Sequence, residues 1–159
     1  AKNLSLSLGR KISVCDPYAG VGPALMPLSG LQDSIKEIFA SDLNPKAAEL
    51  LTLKLPNNWT ACRDARKLAN DLPECCDLLL VNLPHDSISH LPDLLGLLKK
   101  GHEVVIRGWA ILALDSLGQA ESDIRDVLSE CEVHSLAIEA NRSYSPTDTY
   151  ACIEAHIMS

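Results

Sequence analysis

The chain of 159 residues has the length of one ordinary domain, and its 47% of hydrophobic residues suffice for a core without disulfides. The formal net charge of -7 and the pI of about 5.1 argue against autonomous nucleic-acid binding, which usually relies on a basic face. No stretch approaches the roughly 20 apolar residues of a membrane span, and no signal peptide opens the chain. We therefore expect one cytoplasmic domain over residues 1–159 with no membrane partner.

The cysteines give no sign of a metal site or of a disulfide framework. No CxxC pair is present, and the adjacent Cys75 and Cys76 would need distant partners to complete a tetrahedral zinc site. Most of the thiols lie in apolar, strand-like runs, where cysteine behaves as a small hydrophobic residue. We expect a reducing compartment, buried thiols and no bound metal. The six are Cys15, Cys62, Cys75, Cys76, Cys131 and Cys152.

Apolar runs alternate with helix-like segments in the first half of the chain. Residues 11–15 (KISVC) predict a short buried strand, and a glycine loop then leads into a helix over residues 23–28. Residues 37–41 (EIFAS) predict the second strand, which a helix over residues 45–55 follows at helical spacing of its apolar positions. Residues 59–62 predict a weak third strand.

The second half predicts four more strands. Residues 77–81 (DLLLV) are apolar throughout, as in a strand covered on both faces. Two strands near the end are joined by Ser145-Pro146 turn chemistry, which indicates an antiparallel hairpin at one sheet edge. The sequence thus predicts an α/β fold: a Rossmann-like, doubly wound, seven-stranded, mostly parallel sheet with a C-terminal antiparallel hairpin. The remaining predicted elements are a helix to about residue 98, a strand over 102–106, a helix within 115–131, and strands over 133–140 and 150–157.

Acidic residues and glycines follow the first two predicted strands. In open α/β sheets, ligands bind beyond the carboxyl ends of the strands. Gly20 and Gly22 permit close backbone approach, and the N-terminus of the following helix would favour an anionic group. Asp42 is placed to accept both hydroxyls of an adenosine ribose. The structural alternatives are a tight turn at the glycines and a helix N-cap that Asp42 shares with Asn44.

These features fit either S-adenosylmethionine or a dinucleotide. The nicotinamide fingerprint requires a third glycine, but Ala24 and Leu25 follow Pro23 here. Asp16 would attract a cationic cofactor and would not help to bind a pyrophosphate. S-adenosylmethionine is the favoured cofactor, and an NAD-dependent oxidoreductase remains the alternative.

Polar residues also follow the third and fourth predicted strands. Asp64 could accept the exocyclic amine of adenine, or it could be an ordinary helix cap. Asn82, in the run Asn82-Leu83-Pro84-His85, presents an amide that could recognise a base edge or hold a reactive nitrogen toward a methyl group. The alternative is a turn that merely ends the strand.

Taken in order, five segments resemble the archaeal and eukaryotic tRNA (guanine-N1-)-methyltransferases. This resemblance covers about the whole chain and implies a class I methyltransferase fold, in-line methyl transfer to guanine N1 in tRNA, and a general base that removes the N1 proton. The segments are DPYAGVGP (16–23), SDLNPKAAELL (41–51), DAR (64–66), NLPHDSISHL (82–91) and RSYSPTDTYACIEAHI (142–157).

The resemblance also implies the residues that bind each part of the ligands. The methionine end would lie against Asp16 and the glycines, the ribose against Asp42, the adenine against Asp64 and Ala65, and the guanine against Asn82 and Pro84. His85 and Asp86 are substitute candidates for acid–base work, although capping of the following helix is the preferred interpretation. The cofactor-binding residues are then expected to be Asp16, Tyr18, Ala19, Gly20, Gly22, Asp42, Leu43, Asp64, Ala65 and Asn82.

The chain departs from that family before its first strand. The family's base and an arginine are expected there, and residues 1–8 contain neither a carboxylate nor an arginine. We expect the chain to be a catalytic domain without an N-terminal RNA-binding region, so that tRNA would be bound mainly through a missing segment. Two alternatives remain open: a cofactor-binding module without independent catalysis, and a related aminocarboxypropyl transferase of wyosine biosynthesis.

Overall fold

The fold is built on one seven-stranded sheet, and a computed structural model describes it over residues 1–159. The strands lie in the order β3-β2-β1-β4-β5-β7-β6, which is doubly wound about β1. Their bounds are β1 Ile12–Asp16, β2 Ile35–Asp42, β3 Trp59–Cys62, β4 Leu78–Asn82, β5 Glu103–Ala113, β6 Glu132–Ser143 and β7 Asp148–Met158.

The direction of the strands confirms the predicted mostly parallel sheet with a terminal hairpin. Strands β1 to β5 pair in parallel, whereas β7 pairs antiparallel with both β5 and β6. The hairpin of β6 and β7 does not simply extend the edge, because its second strand lies between β5 and β6. One reversed strand therefore separates the edge strand β6 from the parallel part of the sheet.

Helices pack on both faces of the sheet. The buried apolar side chains of β1 and β2 pack with Leu4 of the first helix, Leu51 of the third and Leu25 just before the second, and the opposite face packs under the last three helices. None of the helices combines the length and the hydrophobicity of a membrane-spanning segment. The helices are α1 Lys2–Leu8, α2 Met26–Ser29, α3 Pro45–Lys54, α4 Leu68–Asp71, α5 Ser87–Leu94 and α6 Leu117–Val127.

The strands β7 and β5 leave one face of the C-terminal half of the sheet open. Along β7, buried and half-buried residues alternate strictly, which is the pattern of a sheet with one covered and one accessible face. Ile153, Ala155 and Ile157 pack under the helices, whereas Glu154 and His156 point to the open face.

Three elements differ from the sequence-based expectation. The helix α1 was not predicted, and the helix expected over residues 23–28 is a single turn that begins at Met26. Strand β5 continues to Ala113 and not only to residue 106, because β7 pairs with it over its whole length, from Glu103↔Met158 to Ala113↔Asp148. Long-range pairing, not local propensity, holds residues 107–113 as strand.

The expectation of generally buried thiols is wrong for most of the cysteines. Only Cys15 and Cys76 are buried, Cys62 is exposed, and the other three are partly exposed. Cys62 is exposed because it ends β3, which is the outermost strand at its edge of the sheet.

The buried carboxylate of Asp77 joins the amino ends of the three central strands. Its side chain is 0% exposed, and it accepts hydrogen bonds from the backbone N–H of Ser13, Nη2 of Arg10 and Nζ of Lys99, each at 2.7 Å. Nε2 of His102 lies 3.0 Å from the same carboxylate. Burial alone would raise the pKa of Asp77, but these hydrogen bonds hold it well below its usual range.

The substitution Asp77→Asn removes this charge and leaves its cationic partners without their counter-ion. We expect the free energy of unfolding at pH 7 to fall by about 3 kcal/mol, measured by urea denaturation. The control is Asp33→Asn, since Asp33 is exposed and should leave the midpoint unchanged.

The same pair of proteins tests the pH dependence. The folded pKa of Asp77 lies below the roughly 4 of an unfolded aspartate, so its stabilisation is present above about pH 5 and is lost as the pH falls further. The stability gap between the wild type and Asp77→Asn should narrow steadily as the pH falls from about 5 toward the folded pKa of Asp77. A gap that stays constant over this range would contradict the assignment.

Candidate cofactor and substrate clefts

The loop after β1 is docked on the end of β2. The backbone N–H of Ala19 donates to the carbonyl of Ser41 at 2.9 Å, and the N–H of Gly20 donates to Oδ2 of Asp42 at 2.8 Å. The hydroxyl of Ser41 donates to the carbonyl of Pro17 at 3.2 Å. These contacts hold the loop at the carboxyl ends of the two strands, where the sequence predicted a ligand site.

The two loop glycines are required by backbone conformation. Gly20 has φ of 55° and Gly22 has φ of 82°, and a Cβ atom on Gly22 would lie 3.1 Å from Cδ2 of Leu51. The expected helix is reduced to the single turn α2, and the first hydrogen bonds of this turn run from the N–H groups of Leu25 and Met26 to the carbonyl of Gly22, both at 3.1 Å. A four-residue turn has only a small dipole, and the expectation that it favours an anion stays a prediction.

Asp42 connects the glycine loop to the start of α3. Its Oδ1 accepts from the N–H of Asn44 at 2.8 Å, while its Oδ2 accepts from Gly20. Asn44, and not Asp42, is the N-cap of α3, and its side chain accepts from the N–H of Lys46. Both carboxylate oxygens of Asp42 are thereby oriented by backbone donors, and each keeps a lone pair for a further donor.

Asp16 lies beneath the glycine loop and is 1% exposed. Its Oδ1 accepts from the N–H of Tyr18 at 3.2 Å. Burial raises the pKa of Asp16 to about 7, and the negative charge of Asp42 acts in the same direction. Asp16 is therefore a carboxyl group that changes its charge near neutral pH, next to a second carboxylate.

A cleft of about 350 Å³, which we call cleft A, opens beside these residues at the carboxyl ends of β1, β2, β3 and β4. Four of the expected cofactor-binding residues do not line cleft A: Asp16, Ala19, Gly20 and Gly22. Six of the expected cofactor-binding residues do: Tyr18, Asp42, Leu43, Asp64, Ala65 and Asn82.

Cleft A also contains two arginines and a histidine that the sequence analysis did not single out. Arg66 forms an ion pair with Asp64 at 2.9 Å, and its guanidinium lowers the pKa of that carboxyl. The hydroxyl of Tyr18 lies 2.8 Å from Nδ1 of His90, and burial raises the pKa of Tyr18 to about 12. Arg63 completes the polar rim. Arg63 and Arg66 flank Asp64 in sequence, which is the only signal that could have indicated them.

A second cleft, cleft B, shares Asn82 with cleft A. It has a volume of about 530 Å³. Strand register places Asn82 beside Trp109 on β5, and Arg142 on β6 beside Tyr150 on β7. The guanidinium carbon of Arg142 lies 4.7 Å from the centre of the Tyr150 ring. Cleft B is lined by Asn82, Pro84, Trp109, Asn141, Arg142 and Tyr150.

Of the three residues proposed for catalysis, the structure brings Asn82 and Pro84 into cleft B but not His85. The His85 ring packs edge-on against Tyr144 at 6.4 Å and lines a different depression. Asp86 occupies the N-cap position of α5, but its side chain makes no capping hydrogen bond. Asp86 thus holds the predicted cap position without a side-chain bond, whereas His85 precedes it, and Asp86 also lines cleft A.

Comparison with known proteins gives matches in structure only. No protein-family model matches the chain, and no curated protein matches it. M. jannaschii TYW2 in complex with AdoMet superimposes with a TM-score of 0.77 at 18% identity, over 93% of this chain and 69% of that one. The M. jannaschii tRNA m1G37 methyltransferase superimposes with a TM-score of 0.75 at 23% identity, over 99% of this chain and 47% of that one.

The chain therefore has the fold of the class I S-adenosylmethionine-dependent methyltransferases. It spans about half to two thirds of the length of these two structural neighbours. The cyclase SpnF shares the fold with a TM-score of 0.70 at 12% identity, over 98% of this chain and 80% of that one. Since one fold serves different reactions, the function must be argued from the clefts.

The ionisation of Asp16 gives a direct test of the site geometry. We expect the carboxyl carbon signal of Asp16 in a ¹³C NMR titration to move with a midpoint near pH 7. In Asp42→Asn the midpoint should fall, because the neighbouring negative charge is gone while an oxygen remains to accept from Gly20. Asp33→Asn should leave it unchanged. A normal aspartate midpoint in the wild type would contradict the buried position of Asp16.

Proposed function

We propose that the chain binds S-adenosylmethionine in cleft A and presents its methyl group to a purine base, guanine in tRNA by the resemblance, in cleft B. The observation that carries the proposal is that Asn82 lines both clefts, so that a cofactor and a base could meet at one side chain. When bound, the cofactor would supply an electrophilic methyl group on a sulfonium centre.

The donors and acceptors of cleft A suit an adenosine and a cationic sulfonium. The half-buried Asp42 carboxylate, oriented by Gly20 and Asn44, can accept from two ribose hydroxyls. Asp64 can accept from an exocyclic amine, although it first has to share its oxygens with Arg66. Asp16, when ionised, adds negative charge beneath the loop and favours a cation.

Cleft B suits a planar base. Trp109 and Tyr150 offer aromatic surfaces for stacking, and Arg142 adds a cation beside Tyr150. The amide of Asn82 provides one donor and one acceptor group for a base edge. These groups would bind and orient the base, but they do not by themselves remove a proton from it.

The lining of cleft B contains no carboxylate and no histidine. Methylation of guanine N1 requires removal of the N1 proton, so the proposal assigns binding and orientation to cleft B and proton removal to a group outside its lining. Aminocarboxypropyl transfer from the same cofactor, the alternative that the sequence left open, is the second candidate.

Binding of S-adenosylhomocysteine tests the first half of the proposal. We expect Asp42→Asn to weaken binding by roughly 10- to 100-fold in calorimetry, because the charged acceptor for the ribose is lost. Asp33→Asn should bind like the wild type. Absence of heat with the wild type at millimolar ligand, or equal affinity of Asp42→Asn, would count against cleft A as the cofactor site.

Transfer from labelled S-adenosylmethionine to unmodified tRNA tests the second half, with the product nucleoside identified by mass spectrometry. We expect Asn82→Ala to lower the rate by about 100-fold, since the group that orients the base is lost. The control is Asn57→Ala, because Asn57 is exposed and lines neither cleft.

Each possible product has a distinct meaning. N1-methylguanosine supports the proposal, whereas an aminocarboxypropyl nucleoside supports the second candidate. Cofactor binding without any product would instead indicate a cofactor-binding module without independent catalysis.

A further inference from the structure

A group of three thiols lies outside both clefts. The sulfur atoms of Cys15, Cys75 and Cys76 all lie within 4.8 Å of one another, with Cys15 and Cys76 buried and Cys75 partly exposed. Cys15 and Asp16 are successive residues of β1, and successive side chains of a strand point to opposite faces of the sheet. Cys15 accordingly packs in the core under α4 and α5, away from the face that Asp16 and the glycine loop occupy.

The backbone holds two of these cysteines against the third. The N–H of Glu74 donates to the carbonyl of Gly96 at 2.9 Å, and the N–H of Cys76 donates to Leu97 at 3.0 Å. Cys76 also forms an isolated parallel bridge with Leu98. The segment before β4 is thereby fixed beside β1, where Cys15 pairs in register with Leu79 of β4.

Glu74 shows that this segment is held in a costly conformation. It is the one non-glycine residue with positive φ, at 52°. A left-handed conformation costs such a residue roughly 1–2 kcal/mol. Burial of the thiols of Cys75 and Cys76 does not require a left-handed residue before them. Backbone strain of this type is concentrated at ligand sites.

We propose that Cys15, Cys75 and Cys76 form a three-thiolate site for a single thiophilic metal ion, Cu(I). Three sulfurs at about 2.3 Å from a common ion lie about 4 Å apart in a planar triangle. The observed limit of 4.8 Å is already close to that spacing. Small side-chain rotations would close the remaining difference.

The coordination number selects the ion. Thiolates select soft ions such as Cu(I) and Zn(II), but structural zinc is almost always four-coordinate. No other histidine, cysteine or carboxylate belongs to the group, and the nearby Asp77 is already bound by Arg10, Lys99 and Ser13. A closed set of three sulfurs therefore fits a three-coordinate ion.

The charge of the proposed complex is only partly balanced by the protein. Binding of Cu(I) forms three copper–sulfur bonds and releases three thiol protons to solvent, which leaves two net negative charges on the group. The ammonium group of Lys99 acts on Cys75 electrostatically, and its backbone N–H donates to the carbonyl of Cys76 at 2.9 Å. The positive charge of Lys99 therefore offsets part of the negative charge of the complex.

The test is a titration of the full chain, reduced and under anaerobic conditions, with Cu(I) buffered by a competing chromogenic chelator. We expect one Cu(I) per chain, a sulfur-to-copper charge-transfer band in the ultraviolet, and three sulfur ligands by X-ray absorption. Cys75→Ser is the main variant because Cys75 is only partly buried, and we expect at least a tenfold loss of affinity. Cys62→Ser and Cys131→Ser are the matched controls and should bind like the wild type.

Cys15→Ala serves as a second variant, with circular dichroism to establish that it folds. Retained Cu(I) affinity in folded Cys75→Ser or Cys15→Ala would overturn the proposal. Absence of Cu(I) binding by the wild type would overturn it too, because the three thiols would then be core residues only. Preferential binding of Zn(II) with a fourth oxygen or nitrogen ligand would overturn the three-coordinate assignment. Binding of S-adenosylhomocysteine is measured separately, so failure here leaves the proposed function untouched.

Discussion

The hydrogen bonds to Asp77 connect the amino ends of the central strands, and both clefts lie at the carboxyl ends of the same strands. The carboxylate lies one residue before β4 and accepts from Ser13 at the start of β1, from Lys99 and from Arg10. Strand pairing then proceeds in register from this point, with Val14 opposite Leu78 and Leu78 opposite Val105. The carboxyl ends of β1 and β4 therefore lie side by side. The ionic group around Asp77 lies at the other end of these strands.

Elements defined by local pattern could be predicted from the sequence, whereas elements defined by distant pairing could not. Strand β3 was predicted with its observed bounds, Trp59–Cys62. Helix α3 was predicted to within one residue, because Asn44 provides its cap and Pro45 begins its first turn. The extension of β5 to Ala113 depends on hydrogen bonds to β7, which no local pattern contains. Helix α1 is seven residues long and lacks a side-chain cap, so its only stabilising feature is the burial of residues such as Leu4.

The residues of the candidate site also fall into those that a local sequence pattern predicts and those that only distant pairing brings to the site. Asp42 and Asn82 could be predicted because a polar residue directly after an apolar strand of an α/β sheet has few structural reasons to be there. That Asp42 binds Gly20 could not, since this contact depends on the path of the loop. Trp109, Arg142 and Tyr150 come from three strands, and only the pairing of β7 with both β5 and β6 brings them together.

Strand β1 shows how one short segment can serve two independent chemistries. Its burial is complete, so each residue must satisfy its environment within the core: Val14 packs with α3 on one face and Cys15 with the helices on the other. Burial destabilises the ionised form of Asp16 and raises its pKa, so a cation nearby would favour ionisation of this carboxyl group. A buried thiol at Cys15 has no such cost and becomes a ligand only where other thiols are brought to it. The parallel sheet supplies both conditions, because β2 carries Asp42 to one side of β1 and the segment before β4 carries Cys75 and Cys76 to the other.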